Sequence, residues 1–183
     1  IPINEPWILT VAMMREGDKL RSYRKLYKAL HTILDRKWRL LVVGSGSAES
    51  KVKNIFEPMS DRVTWLGLQV SEKLPNIYAS CDLYCWPAIC EAYGIAFLEA
   101  QASGLPVVAC REGGVPSVVD NTNTGILVDP NDINTFIDSI VTLLENVDLR
   151  EKMRKNAINY VLKKHDLLNA SQSMNKLLCE AIE

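Results

Sequence analysis

Two glutamates, Glu91 and Glu99, lie eight residues apart on either side of Gly94 and are the residues best suited to chemistry. They follow a short apolar run and open a run with helical character. Backbone N–H groups at the start of a helix, here at Tyr93, Gly94 and Ile95, attract an anion such as phosphate. The carboxylates can accept hydrogen bonds from sugar hydroxyls, and a side chain in the second turn leans back toward the helix start. The segment therefore suits a ligand with phosphate and sugar groups; two solvated glutamates without a ligand are the alternative.

The composition limits the class of protein. The 183 residues have the length of one domain, and a hydrophobic content of 48% is enough for a sizeable core. The formal net charge is −1 and no basic stripe with interleaved aromatics occurs, so we expect no nucleic-acid binding. The five cysteines show no paired spacing, which predicts reduced thiols in a cytoplasmic protein and no metal site. Because the chain begins at Ile1, close to a strand, we expect it to be a piece of a longer protein.

The elements that would position the glutamates alternate between short apolar runs and longer amphipathic runs. Short apolar runs predict six strands: Trp7–Ala12, Arg39–Val43, Val63–Leu66, Leu83–Trp86, Val107–Cys110 and Gly125–Val128. Several of them are almost continuously apolar, as strands buried on both faces should be. Apolar periodicity predicts helices over Leu20–Leu34, Lys51–Phe56, Ser71–Ala79, Ile95–Ser103, Asp132–Glu145, Leu149–Lys163 and Leu168–Ile182. Ser71 is predicted to be the N-cap of the third of these helices.

This alternation predicts an α/β fold, a Rossmann-like doubly wound parallel sheet of about six strands with helices on both faces. Ligands of such sheets bind at the carboxyl ends of the strands, near the point where the strand order reverses. We assign residues 1–166 to this domain. Residues 167–183 are assigned to a C-terminal helix that packs on the domain or on a domain missing from this chain.

The segment around the glutamates resembles the donor-binding domain of glycosyltransferase family 4, retaining enzymes of GT-B architecture. The matching residues are Trp86-Pro87, Glu91-Ala92-Tyr93-Gly94, Phe97–Ala109, Gly113-Gly114-Val115-Pro116, Asn123–Val128 and Pro130. Such a string is far more specific than a lone glycine motif, and the resemblance covers essentially the whole chain. It implies that the predicted sheet is one half of a GT-B architecture.

The resemblance also implies roles for individual residues. Glu99 would hold the nucleotide ribose, and Glu91 would contact the transferred sugar. Amides around Tyr93, Gly94 and Ile95 would bind the diphosphate or the sugar. The segment from Leu68 to Val70 would flank the base, and Gly44 would lie close to the ligand, with a plain strand-end turn as the alternative reading for Gly44.

The basic residues near the first strand depart from the family pattern, which has an arginine and, about five residues later, a lysine. Both neutralise the departing diphosphate. Lys19 matches the lysine, with a one-residue difference in length, whereas Met13 occupies the place of the arginine. Arg15 either replaces that arginine from a shifted position or is a surface residue. Gly113-Gly114 has two readings as well, a flexible turn or a close approach to the ligand.

The resemblance implies a transferase that moves a sugar from a nucleoside diphosphate sugar to a hydroxyl acceptor, with Lys19 and Glu91 as catalytic residues. No cofactor and no metal ion are implied, because the nucleotide sugar is a substrate. The acceptor would bind a missing N-terminal domain, through which the full-length enzyme could associate with the cytoplasmic membrane face. The chain alone is expected to bind donor without turnover. The alternatives are a nucleotide-sugar-binding module that has lost catalysis, for which Met13 argues, and a GT-B relative such as an epimerase or phosphorylase.

Overall fold

A computed structural model describes residues 5–181, of which 167–169 and 173 are described by their backbone alone. The described chain contains a six-stranded sheet with the order β3-β2-β1-β4-β5-β6, in which every neighbouring pair is parallel. The strands are β1 (Trp7–Val11), β2 (Arg39–Val43), β3 (Val63–Gly67), β4 (Leu83–Trp86), β5 (Val107–Cys110) and β6 (Gly125–Val128). The predicted doubly wound sheet is confirmed, and each strand lies within one residue of its predicted bounds.

Eight α-helices connect and cover the strands in the described part of the chain. They are α1 (Asp18–Thr32), α2 (Glu49–Phe56), α3 (Leu74–Ala79), α4 (Ile95–Ala102), α5 (Val115–Val118), α6 (Ile133–Glu145), α7 (Val147–Lys164) and α8 (Leu167–Glu180). All except α5 were predicted from the sequence. The predicted end of the last helix, Ile182, lies outside the described residues.

The prediction of Ser71 as a helix N-cap is wrong. Ser71 begins a 3-10 turn that ends at Lys73, and α3 starts only at Leu74. Pro75 is the second residue of α3, where its missing N–H costs no intrahelical hydrogen bond. The proline therefore sets the start of the α-helix three residues later than the serine suggested.

The core between sheet and helices is held in part by aromatic rings. Tyr23 of α1 is fully buried, and its ring centroid lies 4.8 Å from that of Trp86 and 6.4 Å from that of Phe56, both in edge-on geometry. Such pairs add about 0.5–1.5 kcal/mol each to the burial of the rings themselves. They fix the first turns of α1 against the end of β4, where the strand order reverses.

The strands β1 and β4 meet at this reversal and separate toward their carboxyl ends. They are paired at Ile8–Leu83 and Leu9–Tyr84, although both strands continue for two more residues. Beyond those pairs, the Thr10 hydroxyl donates to the Cys85 carbonyl at 2.7 Å and the Tyr84 hydroxyl donates to the Val11 carbonyl at 3.1 Å. Hydrogen bonds from side chains thus replace backbone pairing at the carboxyl ends of β1 and β4, and a crevice opens between these ends.

The lengths and hydropathies of the helices were compared with those that a membrane span requires. From residue 5 to residue 181, none of them is both long enough and apolar enough to cross a bilayer.

Candidate functional site

A pocket of about 480 Å³ lies at the carboxyl ends of β1, β2 and β4 and at the start of α4. Its lining is mostly apolar. It brings together six of the nine predicted site residues: Lys19, Gly44, Glu91, Tyr93, Gly94 and Ile95. The position is the strand-order reversal where ligands of doubly wound sheets bind.

Lys19 and Glu91 form an ion pair inside this pocket. The Lys19 Nζ and the Glu91 Oε2 are 2.6 Å apart, and the two side chains are 22% and 19% exposed. Lys19 belongs to the first turn of α1, and its Nζ also lies 5.8 Å from the ring centroid of Trp86. Because the opposite charges neutralise each other, an incoming anion must compete with Glu91 for the lysine.

The start of α4 supplies further hydrogen-bond donors to the pocket. Gly94 precedes the helix in a left-handed conformation with φ 96° and ψ 51°, and a Cβ there would lie 2.6 Å from the ring of Phe97. Both facts require glycine. The amides of Ile95 and Ala96, which line the pocket, open the helix and have no intrahelical acceptor. They form the positive end of the helix, a site for an anion.

The loop that carries Glu91 is held in a strained conformation. Ala88 has φ 60° and Cys90 has φ 52°, values that residues with a Cβ adopt at a cost of about 1–3 kcal/mol each. The Ile89 N–H donates to the Oγ of Ser22 at 3.0 Å, and Ser22 is fully buried on α1, one turn after Lys19. One face of α1 therefore holds both the side chain of Glu91 and the backbone beside it.

Gly113 and Gly114 lie against the same loop from the other side. A Cβ on Gly113 would lie 1.9 Å from the carbonyl oxygen of Glu91, and one on Gly114 would lie 2.4 Å from that of Ala92. The Gly114 N–H donates to the Glu91 carbonyl at 3.1 Å. The two glycines thus allow the loop after β5 to pack directly on the backbone that presents Glu91.

Glu99 does not line the main pocket. It lies in an adjoining depression of about 330 Å³, which shares Leu74 with the pocket. There the hydroxyl of Tyr78, on α3, donates to Glu99 Oε2 at 2.9 Å. Burial raises the pKa of the Tyr78 phenol, so it remains protonated and continues to donate at neutral pH.

Two other predicted residues also lie outside the pocket lining. Arg15 is exposed, and Val70 is 57% exposed beyond the neighbouring Leu68 and Gln69, which do line the pocket. Met13, which was predicted to occupy the place of the family arginine, lines the pocket and is 52% exposed.

Sequence reasoning missed Ser22 and Tyr78. The only local signal for Ser22 is a polar residue among the buried positions of α1, and for Tyr78 a hydroxyl one helix away from Glu99. In the described part of the chain, no group of three His, Cys, Asp or Glu side chains is placed to hold a metal ion.

Comparison with known proteins identifies relatives of the chain. The family model described as Glycosyl transferases group 1 matches residues 6–160. The D-inositol 3-phosphate glycosyltransferase of Corynebacterium glutamicum is 30% identical over 160 residues, which are 82% of this chain and 38% of that protein. The sulfoquinovosyl transferase of Arabidopsis thaliana is 31% identical over 138 residues, 73% of this chain and 27% of that protein.

Solved structures show the same fold. Sucrose-phosphate synthase from Thermosynechococcus elongatus has a TM-score of 0.85 at 26% identity, over 100% of this chain and 47% of that chain. HepE of Anabaena, in complex with UDP and glucose, has a TM-score of 0.83 at 21% identity, over 96% of this chain and 48% of that chain. The chain thus spans less than half the length of these relatives and corresponds to the C-terminal domain of a GT-B glycosyltransferase. With a family model that matches most of its residues, the chain belongs to the glycosyl transferases group 1 family.

Proposed function

We propose that this chain is the donor-binding half of a retaining glycosyltransferase. The full-length enzyme would transfer a sugar from a nucleoside diphosphate sugar to an acceptor hydroxyl. One observation carries the proposal: Lys19, Glu91 and the first residues of α4 line a single pocket at the strand-order reversal. Positive and negative hydrogen-bonding groups are thus side by side, as a ligand with both phosphates and hydroxyls requires.

Each part of the donor has partners in this arrangement. The diphosphate would accept hydrogen bonds from the amides of Ile95 and Ala96 and from the Nζ of Lys19. Once Lys19 has turned to the phosphate, both oxygens of Glu91 become acceptors for hydroxyls of the transferred sugar. The ion pair at 2.6 Å therefore serves as the resting form of the site.

Catalysis would come mainly from stabilising the leaving group. Negative charge grows on the diphosphate as its bond to the sugar breaks, and Lys19 with the α4 amides stabilises that charge in fixed positions. Because these groups supply the positive charge, we expect transfer to need neither a divalent metal ion nor a cofactor. Glu91 would orient the sugar for attack.

The acceptor would bind to the part of the enzyme that lies outside this chain. The C-terminal helix was predicted to pack on this domain or on a missing one. Met174, Leu177 and Leu178 of α8 are more than half exposed, which favours the second of these alternatives. We therefore expect this chain to bind donor but not to turn it over. A cytoplasmic location and peripheral membrane contact through the acceptor half stay predictions from the resemblance.

Calorimetric titration of the chain with UDP, ADP and GDP tests the donor site. Lys19→Met should weaken binding of the preferred nucleotide about ten- to a hundredfold, because a charge-assisted hydrogen bond is worth about 1.5–3 kcal/mol. Lys51→Met is the matched control, since Lys51 pairs with Glu16 on the surface and does not line the pocket. A folded sample that binds none of the three, or equal affinity for wild type and Lys19→Met, would refute the proposal.

A nucleotide-sugar-binding module without catalysis is the second candidate. The observation that favours it is Met13, an uncharged residue at the pocket wall where the family has an arginine. Donor turnover by the full-length protein separates the two. Transfer that Lys19→Ala and Glu91→Ala abolish supports the enzyme, whereas donor binding without transfer in the wild type supports the module.

A further inference from the structure

Tyr78 contacts Glu99, a carboxylate in the depression that adjoins the main pocket. Its hydroxyl donates to Glu99 Oε2 at 2.9 Å, from α3 to α4. The tyrosine is 1% exposed, so neither water nor ligand needs to hold its ring in place. The bond occupies one side of the carboxylate and leaves Oε1, which has no hydrogen-bond partner within the described residues, to accept from a ligand.

The ring of Tyr78 is packed among other aromatic rings of the core. Its centroid lies 6.0 Å from that of Tyr84, and Tyr84 packs edge-on against Phe97 at 5.4 Å. Phe97 lies on α4, two residues before Glu99. The hydroxyl that holds Glu99 is therefore positioned by the same packing that places α4 against the sheet.

The location of Glu99 decides which ligand group it can meet. The depression around it adjoins the main pocket at Leu74, so a ligand whose phosphates lie at the start of α4 extends over Leu74 to reach Glu99. In a nucleotide, the group next to the phosphates is the ribose. An ionised carboxylate that is already held by one donor offers its free oxygen to a hydroxyl without first losing conformational freedom.

We propose that Tyr78 is a positioning residue that holds Glu99 for the ribose 2′-hydroxyl, so that the site prefers ribonucleotides over 2′-deoxyribonucleotides. This inference depends on the proposed nucleotide site. It assigns the discrimination between the two sugars to a buried tyrosine at the edge of the depression, which acts through the carboxylate of Glu99. Without the Tyr78 hydroxyl, Glu99 would sample other rotamers and its bond to the ribose would weaken.

Binding constants for a matched pair of nucleotides test the inference. The tightest binder among UDP, ADP and GDP is compared with its 2′-deoxy form by calorimetry on the 183-residue chain. For wild type we expect the ribonucleotide to bind about ten- to a hundredfold tighter, because one hydrogen bond to a charged group is worth about 1.5–3 kcal/mol. Tyr78→Phe should weaken the ribonucleotide and leave the deoxynucleotide unchanged, so that the ratio falls toward one.

Two further variants separate positioning from a general loss of structure. Glu99→Gln, at an exposed position, should lower the same ratio, and the double variant should lower it no further than either single change. Tyr23→Phe is the matched control, because it also removes a buried phenol hydroxyl, one that donates to the Ala12 carbonyl at 2.9 Å, yet it does not contact Glu99. Its ratio should equal that of wild type.

The outcomes distinguish this inference from the proposed function. If wild type binds none of the nucleotides, the donor site itself is refuted, and the role of Tyr78 with it. If wild type binds but does not discriminate, or if Tyr78→Phe keeps the full ratio, the donor site stands and the role of Tyr78 is refuted.

Discussion

Gly113→Ala tests the contact between the loop that carries Glu91 and the loop after β5 that packs on it. The added Cβ would lie 1.9 Å from the Glu91 carbonyl oxygen, whereas an ordinary carbon–oxygen contact is about 3.3 Å. The loops would have to separate by roughly the difference, more than the packed site can absorb. That movement would also stretch the 3.1 Å hydrogen bond from Gly114 to Glu91.

The expected loss of stability can be built from three contributions. An alanine at the φ of 47° that Gly113 adopts costs about 1–2 kcal/mol. Overpacking adds about 1–3 kcal/mol, and loss of the hydrogen bond adds about 0.5–1.5 kcal/mol. We therefore expect the free energy of unfolding to fall by about 4 kcal/mol.

Gly67→Ala is the matched control for the backbone contribution. Gly67 has φ 64°, and an added Cβ there would meet no atom within 4 Å. It should cost only about 1–2 kcal/mol, so the two variants should differ by about 2–3 kcal/mol. Urea unfolding followed by tryptophan fluorescence measures both, provided that the slopes agree. Equal midpoints for the two variants would refute the claim that the loops are in direct contact.

Three other predictions concern stability and reactivity. Ser22→Ala removes a buried hydroxyl that accepts from the part-buried Ile89 N–H, and it should lower the free energy of unfolding by about 1–3 kcal/mol. No change in urea unfolding would show that water replaces the hydroxyl. Brief alkylation of the folded chain should modify the exposed Cys90 and Cys179, whereas the buried Cys81, Cys85 and Cys110 should react only after unfolding. Mass spectrometry counts the modified thiols, and early labelling of the buried three would contradict the packing. Burial lowers the pKa of His165, so the unfolded chain binds its proton first as pH falls below about 6.5. The melting temperature of the wild type, relative to that of a His165→Gln variant, should therefore fall below that pH. Melting temperatures of the two proteins that change in parallel with pH would contradict the prediction.

The strands could be predicted closely because helices bury them on both faces. Runs such as Leu83–Trp86 are apolar throughout, and nothing but a buried strand fits so short a run between turn residues. The four-residue helix α5 was missed since a single turn shows no periodicity. The start of α3 was misplaced because a serine and a proline both mark helix starts, and the proline prevailed.

The candidate site could be predicted only where it follows the chain locally. Lys19 and the first residues of α4 lie at the start of predicted helices, and Glu91 lies in the loop after a predicted strand, so topology gathers them at one edge of the sheet. The contacts of Ser22 and Tyr78 join residues 67 and 21 positions apart, and no local pattern encodes such a hydrogen bond. The spacing of Glu91 and Glu99 does not reveal that they line separate depressions.

The scarce pairing between β1 and β4 has a consequence for how the molecule folds. β1 and β2 share five residue pairs, whereas β1 and β4 share two, between residues 75 positions apart in the chain. Long-range pairing of this kind forms slowly, because a long stretch of chain must close before any contact compensates the lost entropy. Strands β1–β3 and β4–β6 can each assemble through shorter closures. Because the pocket lies across their junction, it comes into existence only when the two halves join, and a bound nucleotide would hold together the junction that forms last.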